Sequence, residues 1–383
     1  MTLLKPASRV PEDSTLLTEA DRQWLDERAG SLDADASQAA SVVPYLARAG
    51  LLTHGLPQAM GGRGTPVSHA IEAIAQVASH SVAAAFAFWG QRVLIQMLAA
   101  TGNTGLRERW LPALLRGETA GASGLSNIMK FLSGIEALSI RAMPAPGGGW
   151  LLDGGVPWCT NLREPQFLAA VAVARDDGAP PMIVALPSDR PGLQRSPDLE
   201  LMALRGTNTA ALRLAGVAIT ADDLLAEKAG GFLPQVRPAF LGMQCGLSIG
   251  LARAACAAAA RRMGEGGHVL REALTETRER LEDAAMAIQK GVDGGEFAEA
   301  PQRLFALRLA LHDSVQQALQ LELQATGGRA YHLDVPGVAT PGVATPGVTT
   351  PGGFARRWRE SAFIPIVTPS VTQLLGELKK HGG

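Results

Sequence analysis

Gly147–Asn161 reads GGGWLLDGGVPWCTN, and the fold turns on how this stretch is read. Trp150–Asp153 has the apolar content of a short strand. Gly154-Gly155 reads as a two-residue turn, and Val156–Thr160 as a second strand, so a β-hairpin is predicted. Trp158 and Thr160 are two apart and would share one face of that strand. A strand tryptophan on its own is most simply a core residue.

Working outward, the preceding 120 residues read as helical. Thr18–Asp21 (TEAD) carries a helix-start signature, a hydroxyl cap followed by acids. Leu46–Leu52 ends a helix and Pro57–Gly64 is a Pro/Gly loop. Ser68–Ala100 has apolar residues at helical spacing, fitting two buried helices broken near His80-Ser81. Leu106–Arg116 adds a short amphipathic helix. From Gly121 to about Leu225 the pattern changes to β-like runs, Phe167–Val173, Met182–Leu186 and Ala210–Ile219, separated by turn signals such as Arg205-Gly206-Thr207-Asn208. After Gly230 the chain reads helical again, over Arg237–Met263, His268–Gln289, Ala300–Thr326 and Thr372–Lys380. Gly242, Gly246 and Gly250, four apart, predict a ridge where another helix approaches closely. Asp334–Gly353 repeats VATPG or VTTPG every five residues and reads as an extended surface loop between two helices. The expected domains are therefore 1–120, 121–228 and 229–383.

Composition narrows the function. With 383 residues, the chain can hold two or three domains. Lys+Arg (35) nearly balance Asp+Glu (36), and no basic stripe points to nucleic acid or a membrane surface. No apolar run reads as long enough to span a bilayer, and the N-terminus lacks a signal-peptide core, so a cytoplasmic protein is expected. Cys159, Cys245 and Cys256 are far apart and odd in number, and read as reduced thiols. The seven histidines show no ligand spacing, so no metal site is expected.

Helices, a β domain, then a helical bundle is the order of the acyl-CoA dehydrogenase flavoproteins, which the sequence resembles from about Pro44 to Leu375. The ordered matches are AGLLTHGLPQAMGGRG, Trp110–Glu118, Trp158-Cys159-Thr160-Asn161, Met202–Thr207, Ala215–Leu225 and Gln324–Tyr331 (QATGGRAY). The resemblance implies an α+β multidomain fold: an N-terminal helical domain, a central β-barrel-like domain and a C-terminal four-helix bundle. It implies FAD as cofactor, with Trp158 packed on the flavin and Thr160 near its reactive nitrogen. The loop GLSNIMKFLSGIEAL would add Leu125, Ser126 and Asn127 at the flavin edge and Ser133 at phosphate; either Ser126 or Asn127 could face the ring. Ser370 is a further cofactor candidate. Arg262, Gln324 and Gly328 fall where the family holds the FAD of a neighbouring subunit, implying a homodimer or homotetramer. Arg237 falls near the CoA position.

The family's base is absent. Dehydrogenation of an acyl thioester needs a carboxylate to take the α-proton while hydride leaves to the flavin. Thr368 stands where that Glu is expected, and no acid lies between Ser361 and Gly376 or between Glu227 and Glu265. A threonine hydroxyl is no base for a carbon acid without help. Three readings stay open. One is a dehydrogenase of CoA- or carrier-bound acyl thioesters, with a base from Glu360 or the His332 region and a flavin electron acceptor. Another is a flavin monooxygenase or oxidase served by a reductase. The third is a non-catalytic flavin- or ligand-binding homologue. For Glu360 the simpler reading is a surface ion pair with Arg356 or Arg357.

Overall fold

The computed structural model describes residues 15–331 and 353–380. Most of the repeat segment 334–353 lies outside them, as does His332. The chain opens with α1 (Glu19–Ala34), α2 (Ala39–Arg48), α3 (Val67–His80), α4 (Val82–Ala100) and α5 (Thr104–Leu115). Thr18 caps α1 through a reciprocal pair with Asp21. The break between α3 and α4 falls at Ser81, whose hydroxyl accepts from the Ala84 N–H and starts the second helix.

The middle of the chain is one curled, mixed sheet. It comprises β1 (Ala120–Gly124), β2 (Ile140–Pro144), β3 (Trp150–Cys159), β4 (Phe167–Arg175), β5 (Met182–Pro187), β6 (Leu193–Arg195), β7 (Ala210–Ile219) and β8 (Leu224–Ala226). A short helix, α6 (Ser126–Leu132), interrupts it where a loop was expected. The strand order is β6-β7-β3-β2-β4-β5-β8, with β1 also pairing β4. β4 is apolar along its length because both faces are buried. Its Leu168, Ala170 and Ala172 join the helical core, while Phe167, Ala169, Val171 and Val173 fill the curled sheet.

The predicted hairpin at Gly154-Gly155 does not form. Residues 150–159 are one strand that runs straight through the glycines, paired with β2 on one side and β7 on the other. The glycines serve close approach instead. A Cβ on Gly154 would sit 2.1 Å from the Ser139 carbonyl oxygen, and one on Gly155 would sit 2.7 Å from that of Leu212. Gly154 also has φ +132°, at a shift in the β3–β7 register, so the glycine pair marks a bulge rather than a turn.

The C-terminal part contains α7 (Ala229–Arg262), α8 (Arg271–Asp293), the single turn α9 (Glu296–Glu299), α10 (Pro301–Thr326), α11 (Phe354–Ser361) and α12 (Val371–Lys380). The α7 glycines form the expected ridge. A Cβ on Gly250 would lie 2.1 Å from the Ala75 carbonyl, and one on Gly246 would lie 2.8 Å from that of Ile71, so α3 packs backbone against backbone on α7. By length and composition α4 and α7 could each cross a membrane, contrary to the sequence expectation. Here 89 % and 83 % of their apolar windows are buried inside the protein, as suits core helices.

Candidate functional site

A cleft of about 620 Å³ opens where α4, the end of β3, the start of α6 and the segment around Thr368 meet. Its size suits a small molecule or the ring system of a cofactor. Alternation along β3 decides which residues reach it. Cys159 points into the sheet core, where burial pushes its thiol up to about 12, while Trp158 and Thr160 line the cleft from the opposite face. Trp158 is 58 % exposed, so it is a wall of the cleft and not a core residue. Aromatic side chains of Phe86, Trp89, Phe240 and Phe363 add to that wall.

Three threonine hydroxyls form a chain beside Trp158. Thr160 Oγ1 lies 3.0 Å from Thr209 Oγ1, which lies 2.8 Å from Thr207 Oγ1. Thr207 donates to the Leu204 carbonyl at 2.7 Å. All three threonines line the cleft and are at most 9 % exposed. Thr207 and Thr209 escaped the sequence reading because RGTNT reads as a turn. Their spacing of two was the one available signal.

The remaining predicted residues divide cleanly. Ser126, Thr368 and Ser370 line the cleft. Ser370 also caps α12, its hydroxyl accepting from the Gln373 N–H while Gln373 Oε1 accepts from the Ser370 N–H. Asn127 turns away: it donates to Glu136 and the Ala137 carbonyl and accepts from Ser139. Between the two flavin-edge candidates, Ser126 is therefore the one placed at the cleft. Leu125 is packed in the core, and Ser133, outside the cleft lining, accepts from Lys380 Nζ through its carbonyl. Arg237 is half-buried one turn before Phe240; burial lowers its pKa, and Glu377 partly offsets this.

Arg262, Gln324 and Gly328 are not brought to this cleft. Arg262 ends α7, 22 residues past Phe240. At 1.5 Å per residue that is about 33 Å along the helix. Gln324 and Gly328 are exposed at the end of α10. Glu360 does not line the cleft either. It is fully buried, and its Oε1 accepts from Arg356 at 2.9 Å and from the Val82 N–H at 3.2 Å. Burial raises its pKa, partly offset by Arg356. The expected pair with Arg356 exists, but in the interior and not on the surface.

Among the described residues, the lining contains eight hydroxyl side chains and no Asp, Glu, His or Cys. Its two cations are Lys130 and Arg359, and Arg359 is already bound to the buried Asp33. A flat tryptophan face beside ordered hydroxyls fits an isoalloxazine ring, apolar on its faces and polar at its edge. A pyrophosphate finds little to bind here.

Comparison with known proteins accords with this architecture. The family model for the acyl-CoA dehydrogenase N-terminal domain matches residues 11–118. Benzylmalonyl-CoA dehydrogenase of Aromatoleum aromaticum is 26 % identical over 253 residues, 63 % of this chain and 66 % of that one. The solved glutaryl-coenzyme A dehydrogenase in complex with glutaryl-CoA superposes with a TM-score of 0.76 at 17 % identity, covering 96 % of both chains. The N-terminal part of the chain thus matches the acyl-CoA dehydrogenase family model, and the chain as described has the acyl-CoA dehydrogenase fold. The family is flavin-dependent. Its relatives are not all dehydrogenases. Dibenzothiophene monooxygenase of Rhodococcus erythropolis is 23 % identical over 185 residues, 47 % of this chain and 43 % of that one. A structure of KijD3 with FMN and an amino-keto-sugar nucleotide superposes with a TM-score of 0.75 at 18 % identity, covering 94 % of this chain and 91 % of that one. The matches span less than two thirds of these two curated relatives.

Proposed function

We propose that this protein is a flavin-dependent monooxygenase. The observation that carries this reading is the cleft lining, rich in hydroxyls and aromatics and, among the described residues, free of any carboxylate. A dehydrogenase must take an α-proton with a base within hydrogen-bond reach. An oxygenase has no such need. When bound, reduced flavin supplies activation of dioxygen and transfer of one oxygen atom to the substrate. The chain's own residues do the rest. Trp158 offers a flat face for the ring, and Thr160 and Ser126 offer polar contacts at its edge. Phe86, Trp89, Phe240 and Phe363 keep bulk water from the reacting face. Thr368 and Ser370 present hydroxyls from the opposite wall, where a thioester dehydrogenase would place its acid.

FAD is the proposed cofactor if two copies assemble. The dinucleotide half would then lie against Arg262, Gln324 and Gly328 of a second chain, since none of the three lines the cleft of its own chain. The electrons would come from a separate reductase.

The second reading, an acyl-thioester dehydrogenase, draws on the benzylmalonyl-CoA dehydrogenase relative. A visible spectrum during anaerobic addition of acyl-CoA thioesters separates the two. Bleaching of the flavin supports the dehydrogenase. A flavin that stays oxidised with every thioester, yet is reduced by a nicotinamide-linked reductase and reoxidised by air, supports the oxygenase. Absence of any flavin binding removes both.

A further inference from the structure

We propose that Arg359 is the substrate anchor of the cleft, and that it receives an uncharged oxygen acceptor, a ketone or amide carbonyl, carried on an aromatic body. This rests on the reading that the substrate shares this cleft with a flavin. A guanidinium has five N–H donors in a fixed fork. Asp33 takes two of them at one carboxylate oxygen: Arg359 Nε lies 3.1 Å and Nη2 2.5 Å from Oδ2. Arg359 Nη1 makes no hydrogen bond among the described residues, and the side chain, 36 % exposed, lines the cleft. The edge formed by Nη1 and Nη2 thus keeps N–H donors for a ligand. The anchor is also held before any ligand arrives. Asp33, in the last turn of α1, is 2 % exposed, and its Oδ1 accepts from the Leu204 N–H at 3.2 Å. One buried carboxylate therefore fixes Arg359 of α11 against Leu201–Leu204, a segment that lines the same cleft. A side chain already immobilised loses little freedom on binding.

Charge decides which acceptor the anchor takes. Arg356 pairs with Glu360, Arg357 with Glu322 and Arg359 with Asp33, so three cations meet three carboxylates. A ligand carboxylate would share one guanidinium with Asp33 and bring an unmatched negative charge beside a buried one. A carbonyl oxygen accepts from the same N–H groups without that repulsion. Lys130, the other cation of the lining, sits in an exposed pair with Glu136, which fixes it far less. Rings decide the body of the ligand. Phe363, four residues on from Arg359, lies tilted against Phe86 with centroids 4.5 Å apart. Phe86 is stacked on Trp89 at 5.4 Å, and Phe240 meets Trp89 edge-on at 5.1 Å. These four rings come from α4, α7 and the segment after α11, and all line the cleft. Offset and edge-on contacts favour a further aromatic ring over an alkyl chain of the same area. Asp33 is a positioning residue: it aims Arg359 and cancels its charge.

The test is calorimetric titration of the purified protein with acetylnaphthalene, ethylnaphthalene and naphthoate, all substituted at the same ring carbon, with the visible spectrum recorded alongside. Acetylnaphthalene should bind about tenfold tighter than ethylnaphthalene, as one hydrogen bond to a charged donor gives, and tighter than naphthoate. Ethylnaphthalene is the more apolar of the two, so a cleft without an anchor would rank them the other way. Arg359→Lys keeps a cation for Asp33 but loses the fork. It should abolish the preference for acetylnaphthalene while leaving the affinity for ethylnaphthalene and the urea midpoint near those of the parent. Asp33→Asn unmasks the charge of Arg359 and should raise the affinity for naphthoate, a change that mere loosening of the fold would not produce. Equal affinity of the parent for the acetyl and ethyl compounds, tightest binding of naphthoate, or an Arg359→Lys protein that keeps the preference would each overturn the proposal. The spectrum separates this from the flavin reading. A bound flavin without the acetyl preference removes the anchor alone, whereas the preference in a protein that takes up no added FMN or FAD supports the anchor and removes the flavin.

Discussion

The side-chain amide of Gln244, on α7, donates to the carbonyl oxygen of Thr368 across 3.2 Å. Gln244 is 2 % exposed, so this bond ties the wall of the cleft at Thr368 to the most deeply buried helix of the C-terminal part. Its loss leaves a carbonyl at the cleft wall without its partner. Gln244→Leu is expected to lower stability by about 1–3 kcal/mol. It should also weaken flavin or substrate binding, because Thr368 and Ser370 lose their fixed position. Urea unfolding and flavin titration of the variant check both parts; a variant as stable and as tight-binding as the parent would contradict this role.

Glu360 is expected to matter for stability and not for chemistry. Glu360→Ala leaves the buried Arg356 guanidinium without this carboxylate, and truncating one member of a buried pair costs about 3–5 kcal/mol. Glu360→Gln keeps an acceptor for the Val82 N–H and should cost less. Since Glu360 does not line the cleft, the folded Gln variant should bind flavin as the parent does. Turnover lost in a Gln variant of parental stability would return Glu360 to the list of bases.

Gly250→Ala sets two effects against each other. Helix propensity favours alanine by about 1 kcal/mol. The new methyl would sit 2.1 Å from the Ala75 carbonyl oxygen and 2.6 Å from Ala78 Cβ. Backbone cannot move aside as a side-chain tip can, and overpacking of this kind costs about 1–3 kcal/mol or more. A net loss of stability is expected, read as a lower midpoint in thermal or urea unfolding. The same substitution at Gly230, which meets nothing within 4 Å, should not destabilise by that route.

His54 predicts a pH dependence. Burial, followed by the charges of Arg63, His69 and Arg92, lowers its pKa from 6.5 to about 4. The unfolded chain therefore takes up a proton below pH 6.5 that the folded chain refuses down to about pH 4. The stability is fully present above pH 6.5 and lost as the pH falls through that window, by up to about 3 kcal/mol. His54→Gln should flatten this part of the profile in urea unfolding measured from pH 7 to pH 4. An unchanged slope would assign the acid loss to other groups.

Much of the fold was legible where local signals agreed. Ser81 caps a helix in sequence and in space. β7 occupies the run Ala210–Ile219 that its apolar pattern marks. The α7 glycines announced a tight helix contact by spacing alone. Gly154-Gly155 misled because two glycines between apolar runs carry the same local signature whether the chain turns or another strand presses against it. The neighbouring carbonyls of Ser139 and Leu212 decided between them, and they are brought there by β2 and β7. The apolar lengths of α4 and α7 misled in the same way, since a core helix and a membrane helix share a composition.

The candidate site divides along the same line. From the sequence alone came the shared face of Trp158 and Thr160 and the absence of an acid around Thr368, because strand alternation and residue identity are local facts. Only the tertiary structure could show that Thr207 and Thr209 join Thr160 in one hydroxyl chain. Only it could show that Ser126 meets the cleft while Asn127 leaves it, and that Glu360 is buried behind the wall. The physical reason is that a hydroxyl's role depends on where its one proton goes. That is settled by partners 49 residues apart in the chain and 3.0 Å apart in the fold.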